Sequence, residues 1–148
     1  MIDQVRDPLR DIPPPGLRVQ RLDSDNAATV ARWEAYVAGA PAATFFHRAP
    51  WQNILSQVFG HSAYFLYAER NGEIEGILPL AQVKSRLFGN SLVALPFAVY
   101  GGVVASNAAA AALLEDEAER LARQLDVAHL EDRNVDAHHA DWPRQDLY

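Results

Sequence analysis

The sequence predicts an α+β domain, a mostly antiparallel sheet with helices packed against it, and three observations carry that expectation. Asn71-Gly72 sits between two apolar stretches and is the strongest short hairpin signal in the chain, because a type I′ turn needs positive φ at both central residues. Apolar residues recur at helical spacing on both sides of that hairpin region, over 27–37, 51–58 and 114–125. The expected order, β-α-α-β-β-β-α-β, joins its central strands by short connections, which is an α/β or α+β sandwich.

Residues 1–16 read as a flexible Pro-rich arm, since Pro13-Pro14-Pro15 favours extended polyproline geometry and cannot donate to a sheet. Leu17, Val19 and Leu22 form a first strand. Asp23 or Ser24 is the expected cap of a helix carrying Ala27, Val30, Ala31, Trp33 and Val37, ended by Gly39 and Pro41. Pro50 suits the first turn of a second helix whose apolar stripe is Trp51, Ile54, Leu55 and Val58. Residues 63–69 and 74–84 form the hairpin, with Pro79 suggesting an edge or a bulge.

Leu92, Val93, Leu95 and Phe97 supply the next strand. Asn107 caps a helix over 108–126, with Leu114, Ala118, Leu121 and Leu125 on one face and Glu115, Glu119, Arg120 and Arg123 toward water. Residues 127–131 read as one more strand, and the remainder is polar without a period.

At 148 residues the chain fits one domain, with 49% apolar and 22% charged residues, enough to bury a core. A net charge of -6 opposes broad binding to nucleic acid or anionic lipid. With no cysteine, disulfides, thiolate catalysis and zinc ribbons are excluded. No apolar run approaches the ~20 residues of a membrane helix, and no signal peptide is visible, so a cytoplasmic location is expected.

Four blocks, FFHRAPWQNIL, YAERNGEIEGILPLAQVKSRLFG, LVALPFAVYGGVVA and ALLEDEAERLARQLDVAHLEDRN, occur in that order. Together they resemble the first half of FemAB-like acyltransferases, closest to the variety linked with bacterial exopolysaccharide and PEP-CTERM sorting systems. The resemblance spans residues 17–134. It implies that 17–148 form a single domain of the GNAT (acetyltransferase) fold, the first of two in tandem, acting in N-acyl or aminoacyl transfer to an amine acceptor. It also implies that the donor, acyl-CoA or aminoacyl-tRNA, is held mainly by a second domain missing from this chain. No coenzyme A loop of the form Q/R-x-x-G-x-G/A is present, so no cofactor is expected in this chain and the isolated domain is expected to be inactive.

The candidate substrate-binding residues are His47, Arg48, Trp51, Tyr100, Gly101 and Gly102. Glycines at 101 and 102 would let an acceptor approach the backbone while Tyr100 offers a ring and a hydroxyl; the competing reading is a strand corner. The resemblance places this segment beside the acceptor cleft, where peptidoglycan-directed members usually carry Gly-Pro. Arg48 can hold a phosphate or carboxylate in a forked contact, and His47 can accept a proton near neutral pH. Phe45, Phe46 and Trp51 read first as core. Gln52 and Asn53 stand near the position where the resembled peptidoglycan enzymes carry a lysine, which disfavours a muramyl-pentapeptide acceptor.

Lys84, Arg86 and Gly89 read as a solvated basic loop rather than an anion site. His138-His139 lacks metal-ligand spacing, and Glu131 and Asp132 read as surface carboxylates. Two other functions compete: a non-catalytic binding module that homodimerises to cover an apolar face, and a complete small acetyl-CoA-dependent acetyltransferase.

Overall fold

In the computed structural model the described residues are 16–85, 89–94, 102–127 and 129–131. Strand β1 (Arg18–Arg21) leads to helices α1 (Ala27–Gly39) and α2 (Pro50–Gln57), with a single 3-10 turn at Phe45–His47 between them. Strands β2 (Ser62–Arg70), β3 (Glu73–Ser85) and β4 (Gly89–Ala94) follow, then the short β5 (Val104–Ala105), helix α3 (Ala108–Gln124) and β6 (His129–Glu131). The expected mixed, mostly antiparallel sheet flanked by helices is what forms.

The hairpin chemistry works as the dipeptide requires. Asn71 has φ 52° and Gly72 φ 79°, and the two-residue loop pairs Arg70 with Glu73. The sheet order is β1-β2-β3-β4-β6, antiparallel throughout except for the parallel β4–β6 pair, and β5 joins β3 beside Gly76 and Ile77.

Alternation along β2 and β3 divides their side chains between two cores. Phe65, Tyr67, Ile77 and Ala81 meet Trp33 of α1 and Leu55 of α2, whereas Leu66, Ala68, Leu78 and Leu80 meet Ala110, Leu114, Ala118 and Leu121 of α3. Both faces are covered, which is why five successive residues of β2 are buried where a one-sided strand would alternate.

Several local expectations are corrected. The α1 cap is Asn26, whose side chain accepts from the Thr29 N–H at 3.1 Å; Asp23 is engaged in its own turn, accepting from the Asp25 N–H at 2.9 Å. Val58 lies past the end of α2 and is 70% exposed. Glu115 is buried, on the flank of α3 that also carries the buried Ala118 one turn on.

Pro79 lies in a central strand. It pairs with Phe65 of β2, and on the other edge it falls between Leu80, opposite Ala94, and Ile77, opposite Val104. A residue without an N–H is tolerated in that interval between β4 and β5. The register irregularity lies elsewhere, at Glu75, where Ala68 pairs with Gly76 and Glu69 with Ile74. Leu95 and Phe97 lie outside the described residues, as does the 1–15 part of the arm. Among the described residues no helix is long and apolar enough to cross a membrane.

Candidate functional site

A bulge leaves one residue without a partner across the ladder, and here Glu75 uses that freedom to tie three elements together. Its carbonyl accepts from the Ser106 N–H at 2.8 Å and from the Tyr36 hydroxyl of α1 at 3.2 Å. Its carboxylate accepts from Arg70 Nε at 2.7 Å and Arg70 Nη2 at 2.6 Å, and from Asn107 Nδ2 at 2.8 Å. Asn107 in turn caps α3, its side-chain oxygen accepting from the Ala110 N–H at 2.8 Å. The guanidinium of Arg70 holds the Glu75 carboxyl down at about 2, and Asn107 assists against a smaller opposing effect of burial.

Beside this node opens a cleft of about 290 Å³ between the C-terminal end of α1, the 40–42 loop and β5. Its walls are small: Gly39, Ala40, Pro41 and Ala42 on one side, Val104 and Ala105 on the other. The polar lining side chains are Tyr36 and Ser106, whose hydroxyl oxygens are 3.0 Å apart. Burial raises the Tyr36 phenol above its usual range, with Ser106 opposing and the Glu75 charge adding to the rise, so the phenol stays protonated at neutral pH. An uncharged, small-walled cleft with one hydroxyl pair suits an organic ligand or one arm of it.

Of the residues singled out from the sequence, those that are described, His47, Arg48, Trp51 and Gly102, are not among the residues that line this cleft, and each has another role. His47 and Gly102 meet directly: His47 Nε2 is 2.9 Å from the Gly102 carbonyl. His47 Nδ1 accepts from the Thr44 N–H at 3.0 Å, so the proton sits on Nε2 and donates to Gly102. Burial lowers the pKa of this imidazole, against a smaller opposing contribution from the Gly102 bond. The same residue's carbonyl accepts from Trp33 Nε1 at 2.7 Å, and Trp33 stacks on Phe65 with centroids 5.5 Å apart.

Arg48 is half exposed and holds Glu34 through Nε at 3.0 Å and Nη2 at 2.9 Å. The other oxygen of Glu34 accepts from the Ala49 N–H at 2.6 Å, so α1 supplies the cap that α2 lacks in its own sequence. Trp51 packs with Phe45 and Phe46, centroids 5.6 to 5.9 Å apart, and Phe45 is exposed. Tyr100 and Gly101 lie outside the described residues, as do Arg86, Asp132 and His138-His139. Lys84 is exposed. Among the described residues no group of three or more acidic or histidine side chains is placed to hold a metal.

Sequence reading missed Tyr36, Glu75 and Ser106. Tyr36 stands three residues after Trp33 on one helical face, a spacing that could have drawn attention to it; nothing in the sequence marks the bulge at Glu75.

The strand order, with two helices on one face of the sheet and one on the other, is the fold of the GNAT acetyltransferases. The chain is similar to the ribosomal-protein-alanine N-acetyltransferase from Brucella melitensis biovar Abortus 2308, with a TM-score of 0.53 and 14% identity, over 90% of this chain and 99% of that one. It is likewise similar to a GNAT family acetyltransferase from Staphylococcus aureus subsp. aureus USA300_TCH1516, with a TM-score of 0.52 and 9% identity, over 89% of this chain and 99% of that one. No protein-family model matches the chain, and no curated protein matches it in sequence.

Proposed function

We propose that this chain serves in N-acyl transfer, passing an acyl group from an activated donor to an amine. The observation that carries this reading is the fold, shared along nearly the whole chain with two acetyltransferases. In the reaction the amine nitrogen attacks the acyl carbonyl and a C–N bond forms. The bond to the leaving group breaks, and the amine proton passes to a base or to solvent. Such chemistry needs positioning and stabilisation of the developing oxyanion, and no covalent enzyme intermediate. The cleft beside Tyr36 and Ser106 offers a wall for one reactant.

The finer reading is the first unit of a FemAB-type enzyme of cell-envelope or exopolysaccharide synthesis, supported by the ordered sequence blocks described above. On that reading a second GNAT-like unit holds acyl-CoA or aminoacyl-tRNA, and the chain alone does not turn over. A second reading, a complete small acetyltransferase, is favoured by the 99% coverage of both solved structures. Incubating the isolated chain with acetyl-CoA or an aminoacyl-tRNA and a primary amine separates the two. Transfer by the single chain overturns the two-unit reading. Absence of transfer is what the two-unit reading expects, whereas a chain that binds neither donor nor amine in calorimetry counts against a part for this cleft in acyl transfer.

A further inference from the structure

We infer that the cleft between α1 and β5 selects an uncharged chain carrying an amide N–H, whose partner is the Ser106 hydroxyl oxygen. This inference rests on the acyl-transfer reading for where such a chain originates, while its test reads binding alone.

The argument starts from proton bookkeeping. Tyr36 has one hydroxyl proton, and the Glu75 carbonyl accepts it at 3.2 Å. The 3.0 Å contact between Tyr36 and Ser106 is then made by the Ser106 proton, donated to the phenol oxygen. Ser106 Oγ is left with lone pairs and no proton for a ligand, so it complements a donor. Raised above its usual range by burial, the phenol keeps its proton and the arrangement holds across neutral pH.

The lining chooses between a charged and an uncharged donor. No side chain among Gly39, Ala40, Pro41, Ala42, Val104 and Ala105 carries a counter-charge for an ammonium, and a charge set against these alkyl surfaces gives up part of its hydration without a partner. The Glu75 carboxylate is committed to Arg70 and Asn107. A secondary amide meets both demands, with its N–H on Ser106 and its alkyl part against the alanines.

Gly39 is the specificity-determining position. It ends α1 in the lining of the cleft, and a Cβ built there meets nothing within 4 Å, so added bulk at this position starts in open space at the cleft's rim.

N-butylacetamide is the probe, titrated into the full chain while the backbone amides of Ala40, Ala42, Ala105 and Ser106 are followed by NMR. The expected result is saturable shifts at these positions, with butylammonium and butanoate binding at least about tenfold more weakly. N-butyl-N-methylacetamide, which has no N–H, is expected to bind several-fold more weakly. Gly39→Leu should abolish the shifts while the rest of the spectrum keeps its dispersion. Equal binding of the charged probes, indifference to N-methylation, or unchanged shifts in Gly39→Leu would each overturn the inference. The N-methyl comparison needs no variant and stands even where Gly39→Leu fails to fold. Competition by butanoyl-coenzyme A places the natural amide chain on the donor, and competition by a neutral peptide amide places it on the acceptor. Probe binding without transferase activity in the single chain counts against the complete-acetyltransferase reading and leaves the cleft's selectivity intact.

Discussion

His47 donates through Nε2 to the carbonyl of Gly102, 2.9 Å away, across 55 positions of chain. This bond joins the turn between the two N-terminal helices to the segment that enters β5. It needs a neutral ring, because Nδ1 is already an acceptor for the Thr44 N–H. His47 is therefore a buried clamp in this state, with its proton committed to a backbone carbonyl.

Acidification should loosen that clamp. The folded pKa lies below the 6.5 of the unfolded chain, so the unfolded state binds more protons as pH falls through 6.5. The contribution of His47 is present above that pH and is lost below it. Thermal midpoints measured from pH 8 to pH 5 should fall below pH 6.5, and His47→Gln should flatten that part of the profile. His47→Ala should cost about 1–3 kcal/mol by urea denaturation, since it strips a buried carbonyl of its donor.

Glu75 acts in a lower window. Its folded carboxyl, at about 2, lies below the 4.5 of the unfolded chain. Its stabilisation is present above pH 4.5 and is lost as pH falls toward 2. Glu75→Gln should remove part of the acid-induced loss of stability between pH 4.5 and 2. It should also raise amide hydrogen exchange in the first turn of α3, because Asn107 loses a charged partner.

Gly76 sits where α3 approaches the sheet. A Cβ there would lie 2.9 Å from Leu114 Cδ1 and 3.2 Å from Ala105 Cβ. Leu114 is fully buried and has little room to yield. Gly76→Ala should destabilise by about 1–3 kcal/mol through overpacking. Combined with Leu114→Ala, it should cost less than the sum of the two single changes in a double-mutant cycle.

Trp33 combines a buried ring with a buried hydrogen bond to the His47 carbonyl. Trp33→Phe keeps most of the ring and removes the donor, so a loss of about 1–3 kcal/mol is expected. Equal stability of Trp33→Phe and the natural chain would show that the 2.7 Å contact contributes nothing net.

Much of the fold was legible in the chain. Asn71-Gly72 announced its hairpin, Pro50 opened α2 and Asn107 capped α3, because each acts through its own backbone or the next turn. The cap of α2 was not legible: Glu34, fifteen positions earlier, accepts from Ala49. Burial of Glu115 also escaped a reading based on period, since it depends on how far α3 rolls onto the sheet.

For the candidate site the division is sharper. By itself the sequence determined the helices, the longer strands and their order, but not the short β5, and it excluded cysteine chemistry, since these follow from local propensity, periodicity and residue inventory. Only the tertiary structure brought His47 to Gly102 and set Tyr36, Glu75 and Ser106 around one cleft. Those contacts span 31 to 70 positions. They are decided by sheet register and helix packing, and a one-residue change of pairing at the Glu75 bulge would aim every side chain beyond it to the opposite face.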